Sequence, residues 1–137
     1  MARIKHTTKE VNTLARLIKA EAVGEGNQGM LLVGNVVVNR VVAKCSNFRK
    51  TNTLTKVIFQ KNAFEGTTIP LFQGGATTKE RRLALECIKF WRAHPAYRAL
   101  YFQAPGKGNP CKSEFWGTLE GRFKNHCFYK SEEKCGL

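Results

Sequence analysis

Between Gln28 and Lys44 the chain reads QGMLLVGNVVVNRVVAK, and this run constrains the fold more than any other. Its valines favour a strand, but seventeen residues is about three times a usual strand length. Its most apolar part, Met30–Val38, is far too short to cross a bilayer. A helix that is apolar on most of its faces and therefore central remains. Gln28, Asn35 and Asn39 are spaced seven and four apart and share one stripe of that helix. A polar stripe on a buried helix needs hydrogen-bond partners or a wet cleft.

The other elements must wrap around this centre. Thr7 to Glu10 reads as a capping box, with Thr7 as N-cap, and Val11, Leu14, Ala15, Ile18 and Ala22 follow at helical spacing. A helix is expected from about Thr8 to Ala22, ended by Gly24 and Gly26-Asn27. Thr53 caps a short helix through Phe59. Glu65–Ala76 holds a proline and three glycines and reads as a loop. Thr77 and Glu80 form a second capping box, opening a helix that should reach His94 and stop at Pro95. Leu100–Phe102 and His126–Tyr129 are strand candidates, separated by a Gly/Pro loop at Ala104–Pro110. The expected class is α+β: one mostly helical domain with a small β element.

The chain's 137 residues suit one domain with a real core. Apolar residues at 42% exclude a disordered chain. The formal charge is +13, which points to a polyanionic partner or surface, with plain solubility as the alternative. Nucleic acid and a bacterial wall, with its carboxylates and teichoic phosphates, are the two candidates. All ten acidic residues are glutamates. Carboxylate chemistry must therefore use Glu, and an Asp-assisted Ser–His triad is excluded. The N-terminus is basic but has no apolar core, so no secretory signal is expected and the protein should be made in the cytosol.

Glu21 falls seven residues after Leu14, at the edge of the apolar stripe and in the last turn of the first helix. Partial desolvation there raises a carboxyl pKa, and the helix dipole acts in the same direction. A raised pKa suits a general acid. A plain surface Glu is the alternative. Glu25, four residues on, would share a helical face with Glu21 at about the spacing of an acid–nucleophile pair. Gly24 interrupts that face, so Glu25 reads first as a positioning group.

The run AEAVGEGNQGMLLVGNVVVNR, Ala20–Arg40, resembles the opening motif of the SleB/CwlJ cell-wall hydrolase family. The resemblance continues through Cys45-Ser46-Asn47-Phe48, Phe59-Gln60-x-x-Ala63-Phe64, Leu100-Tyr101-Phe102, Pro110-Cys111 with Trp116, and Arg122–Tyr129. These blocks come in order, and the domain implied spans 8–135. Cys45, Cys111, Cys127 and Cys135 resemble the short CwlJ branch of spore cortex-lytic proteins. What the resemblance implies is a lysozyme-like fold, cleavage of peptidoglycan glycan strands, and Glu21 as catalytic acid. It further implies lytic transglycosylation by a single Glu and no cofactor. The expected partners are glycan strands and anionic wall polymers, with no membrane and no nucleic acid. The place of action would be the cell wall, a spore coat or cortex, or a phage particle. Few landmarks fall in Glu65–Arg98.

Phe64, Tyr101, Trp116 and Tyr129 are candidates to line a glycan groove, since aromatic faces stack on sugars, though each also suits a core. Asn39, Asn125 and His126 are the polar cleft candidates, and His126 reads equally well as a structural histidine. Four competing readings are weaker. A thiol amidase needs a Cys–His pair, but His126 and Cys127 face opposite sides of a strand, which leaves Cys111 or Cys45. A zinc amidase site from His126, His94 and a Cys has no ligand spacing to support it. A nucleic-acid binder fits the charge, but the basic residues are spread along the chain. A wall-binding scaffold without catalysis does not need the intact AEAVGE. Disulfides are expected among Cys45, Cys111, Cys127 and Cys135, with three pairings open, and Cys87 on a helix face should be a buried thiol.

Overall fold

A computed structural model of the chain describes residues 2–45, 48, 50–60, 63–106 and 108–137. Ser46 and Asn47 of the Cys45–Phe48 block lie outside the described residues, as does Lys107 of the Gly/Pro loop.

Helix α1 spans Thr8–Ala22, opened by the Thr7–Glu10 capping box with both reciprocal hydrogen bonds in place. A 3₁₀ turn, Val23–Glu25, leads straight into α2, Gly26–Val42. Helix α2 is buried from Gly29 to Val41, as its all-round apolar sequence demands. It packs against α1 and against α5, Thr78–Lys89. Gly34 permits the closest approach: a Cβ there would lie 2.6 Å from the Cys87 sulfur. Leu14, Leu17, Ile18, Val33, Val37, Ala84 and Ile88 are among the fully buried residues that fill the space between the three helices. Short helices α3, Leu54–Ile58, and α4, Pro70–Gln73, close the far side, Thr53 capping α3 as expected.

The stripe on α2 resolves into two roles. Gln28 is exposed. Asn35 and Asn39 are fully buried and bind the crossover that follows α5. Asn35 Oδ1 accepts from the Ala93 N–H at 3.0 Å. Asn39 Nδ2 donates to the Ala96, Tyr97 and Ala99 carbonyls, and its Oδ1 accepts from Arg3. These bonds explain a correction: α5 ends at Lys89, not at His94. The chain leaves the helix because α2 supplies backbone partners, and because Pro95 disfavours helix just before it. A second correction concerns Glu65–Ala76. It holds a 3₁₀ turn at Glu65–Thr68 and then α4, where Pro70 at the first position is preset for a helix.

Three antiparallel strands complete the domain: β1, Ala99–Gln103; β2, Thr118–Phe123; and β3, His126–Lys130. Their order is β1-β3-β2, with Tyr101 opposite Tyr129 and Phe123 opposite His126. Strand β2 was not expected, because Gly121 and a charged residue on either side of it hide any alternation. The observed class is α+β and mostly helical, with this one small sheet. Disulfides join Cys45 to Cys135 and Cys111 to Cys127, and Cys87 is a buried free thiol.

Candidate active site

A groove of about 710 Å³ opens between the C-terminal end of α1, Gln60 and residues 63–65, strand β1 and the loop carrying Trp116. Glu21 lies in its wall, half-buried in the last turn of α1. The Gly66 N–H donates to Glu21 Oε1 at 2.7 Å. A Cβ on Gly66 would lie 2.6 Å from that oxygen, so only glycine lets the backbone reach the carboxyl this closely. Burial pushes the Glu21 carboxyl above the ordinary carboxylate range. The Gly66 hydrogen bond and the charge of Arg40 oppose that shift, and nearby Glu65 adds to it.

Four of the other expected residues meet Glu21 in this groove. Phe64 stacks on Phe102 at 6.0 Å between centroids, and Tyr101 packs on Phe48 at 5.8 Å. Trp116 stands on the rim, 77% exposed, and His126 lies on the wall at the start of β3. Glu25 does not face Glu21. Its carboxylate is buried, accepting from the Asn125 N–H at 2.8 Å and from His126 Nδ1 at 2.9 Å. Asn125 is exposed in the β2–β3 turn, and its backbone rather than its side chain holds Glu25. Tyr129 is buried behind the groove; its hydroxyl donates to the Lys112 carbonyl, and its ring backs Phe115. Asn39 lies within the core, bonded to the crossover and not to the groove.

Arg40, Gly66 and Glu65 were missed by sequence reasoning. Arg40 is the one charged residue of α2 and is only 7% exposed. Its Nε donates to the Leu100 carbonyl at 2.6 Å, and its guanidinium lies 4.6 Å from the Phe64 ring centroid. Burial lowers its pKa to about 10. A lone Arg in an apolar helix was the available signal. Gly66 carried none, since its contact with Glu21 spans 45 residues. Glu65 is exposed on the groove edge.

The site can donate a proton from a partly desolvated carboxyl to a ligand held among aromatic rings. The disulfides occupy Cys45 and Cys111, so neither is a thiol that can pair with His126. Among the described residues, no three His, Cys or Glu side chains are grouped to hold a metal. Also among them, no helix is long and apolar enough to cross a membrane.

The family model described as Cell Wall Hydrolase matches residues 24–129. This chain belongs to the cell wall hydrolase family. Among curated family relatives, cell wall hydrolase CwlJ of Halalkalibacterium halodurans is 44% identical over 94% of this chain and 90% of its own length. Cell wall hydrolase CwlJ of Bacillus subtilis is 42% identical over 98% of this chain and 95% of its own. The solved catalytic domain of the germination-specific lytic transglycosylase SleB from Bacillus anthracis superposes with a TM-score of 0.73 at 23% identity, covering 91% of this chain and 97% of that one. At that identity the match shows the fold, which is the lysozyme-like one that the sequence resemblance implied.

Proposed function

We propose that this cell wall hydrolase degrades peptidoglycan by cutting the glycan strand between N-acetylmuramic acid and N-acetylglucosamine, acting as a lytic transglycosylase with Glu21 as its single catalytic group. One observation carries the reading: a half-buried carboxyl, raised in pKa by burial and fixed by the Gly66 N–H, in the wall of an aromatic groove. The protonated carboxyl gives its proton to the glycosidic oxygen as the bond to the muramic C1 breaks. The muramic C6 hydroxyl then attacks C1, and its proton passes to the Glu21 carboxylate. The product is a 1,6-anhydro ring, and Glu21 is again protonated. No water and no second carboxylate are consumed. Glu25 is occupied by His126 and Asn125, which agrees with a one-carboxylate route. The CwlJ relatives are named cell wall hydrolases, and the protein that shares the fold is named a germination-specific lytic transglycosylase. Both names support action at a cell or spore wall. Phe64, Tyr101 and Trp116 would stack on the sugars, and the basic surface would hold anionic wall polymers.

Glu65 favours one second reading. It is an exposed carboxylate on the same groove, and a water activated there would make the reaction hydrolytic. Glu65→Gln separates the two. Transglycosylation should retain most of its rate, whereas hydrolysis should lose about 10²-fold or more.

A further inference from the structure

The Glu25–His126 pair has no part in the one-carboxylate reaction, yet it is built as a site is built. Glu25 is 6% exposed, and its Oε1 accepts from both the Asn125 N–H and His126 Nδ1, at 2.8 and 2.9 Å. An oxygen that accepts from both fixes the His126 proton on Nδ1. In a neutral imidazole the lone pair then sits on Nε2. Among the described residues no side chain or carbonyl bonds Nε2, although the ring lines the groove beside Glu21. Phe102 holds the ring edge-on at 5.4 Å, and Phe128 packs on it at 6.2 Å. A carboxylate that sets the tautomer and orientation of an imidazole leaves the second nitrogen poised for a ligand.

We infer that His126 contacts the substrate: Nε2 accepts a hydrogen bond from a hydroxyl or amide N–H of the sugar bound beside Glu21, and Glu25 is the positioning residue that aims it. This rests on the glycan-cleaving reading above. It concerns a fixed acceptor in the groove and adds no proton transfer to the reaction.

The direct test is nitrogen-15 NMR of the histidine rings in the oxidised Glu21→Gln protein, which cannot cleave. His126→Asn identifies the resonances. At a pH that leaves the imidazole neutral, Nδ1 should show a pyrrole-type shift and Nε2 a pyridine-type shift. A soluble tetrasaccharide of alternating N-acetylglucosamine and N-acetylmuramic acid should then move Nε2 and leave Nδ1 in place. The opposite tautomer, or glycan binding with Nε2 unmoved, overturns the inference while leaving the glycan reading intact. Failure of the tetrasaccharide to bind overturns both.

A second arm uses the active protein. Asn at 126 keeps a donor near the Nδ1 position and places nothing at Nε2. His126→Asn should therefore lower kcat/KM on the tetrasaccharide about 3- to 10-fold, the value of one hydrogen bond. His126→Gln, whose amide reaches the Nε2 position, should recover part of it. Glu25→Gln should lower the rate less than Glu21→Gln does, and should add nothing in the His126→Asn background. Additive losses, or equal losses for Asn and Gln at 126, would reduce the pair to a structural role.

Discussion

The Glu21 carboxyl loses water on entering the groove wall and gains one hydrogen bond, from the Gly66 N–H. The loss of water is the larger effect, so the folded-state pKa lies above the unfolded one. The acid form thus persists to higher pH than in a free Glu, and lytic activity should fall as pH rises through the raised value. Stability follows the same sign. The folded state holds the proton more tightly, so the Glu21 contribution is fully present below the unfolded pKa and is lost as pH rises through the folded one. Glu21→Gln should therefore abolish lysis and leave the fold intact. At neutral pH it should also raise the melting temperature, a gain that disappears below the ordinary carboxylate range. Calorimetry across pH checks this, and a melting temperature that falls at neutral pH would count against it. Gly66→Ala is the complementary probe. Its Cβ would meet Glu21 Oε1 at 2.6 Å, so either the carboxyl or the turn must shift. A displacement of that kind should cost about 10²-fold in rate with little change in circular dichroism.

Where local chemistry sets an element, its ends were legible. Helix α1 begins at Thr8 because Thr7 and Glu10 cap each other, and the same Glu10 ties α1 to α3. Glu10 Oε2 accepts from the Thr55 N–H at 3.0 Å and from its hydroxyl at 2.9 Å. Burial pushes this carboxyl up, but its four hydrogen bonds outweigh that and hold it below the ordinary range. Its contribution is thus present above the unfolded pKa and fades as pH falls through the folded value. Glu10→Ala should cost about 1 kcal/mol, as losses of helix caps do, and the cost should shrink in acid. Thermal melts at neutral and acid pH check it. Elements set by distant partners were not legible. The end of α5 depends on Asn35 meeting Ala93, and β2 depends on pairing with β3. The same holds within the site. Glu21 announces itself through a helix stripe and a motif, and Asn39 shows the limit of that approach: polarity on a buried helix marked a need for partners, which the backbone met. Gly66 acts through a contact that no local pattern encodes, and Arg40 stood out only as a lone charge in an apolar helix.

At the scale of the whole molecule, two disulfides span 90 and 16 residues and tie the C-terminus and the Trp116 loop region to the rest. Each should contribute about 3–5 kcal/mol in the chain-entropy picture. Reduction should lower the melting temperature clearly and spare some activity at low temperature, since Glu21 is untouched. The Cys87 thiol is fully buried and pushed up to about 12, so it should react only after unfolding. Alkylation of native and unfolded oxidised protein should count zero and then one thiol. A count of five in unfolded oxidised protein would refute the bridges. The +13 charge should add salt-sensitive wall binding, which the stacked groove need not share. The central claim, that Glu21 alone cuts the glycan strand by transglycosylation, is tested most directly by mass spectrometry of purified peptidoglycan digested with this protein and with Glu21→Gln. The former should give fragments ending in 1,6-anhydro-muramic acid, and the latter should leave the strands undigested. Reducing muramic ends, free stem peptides, or normal digestion by the Glu21→Gln protein would contradict it.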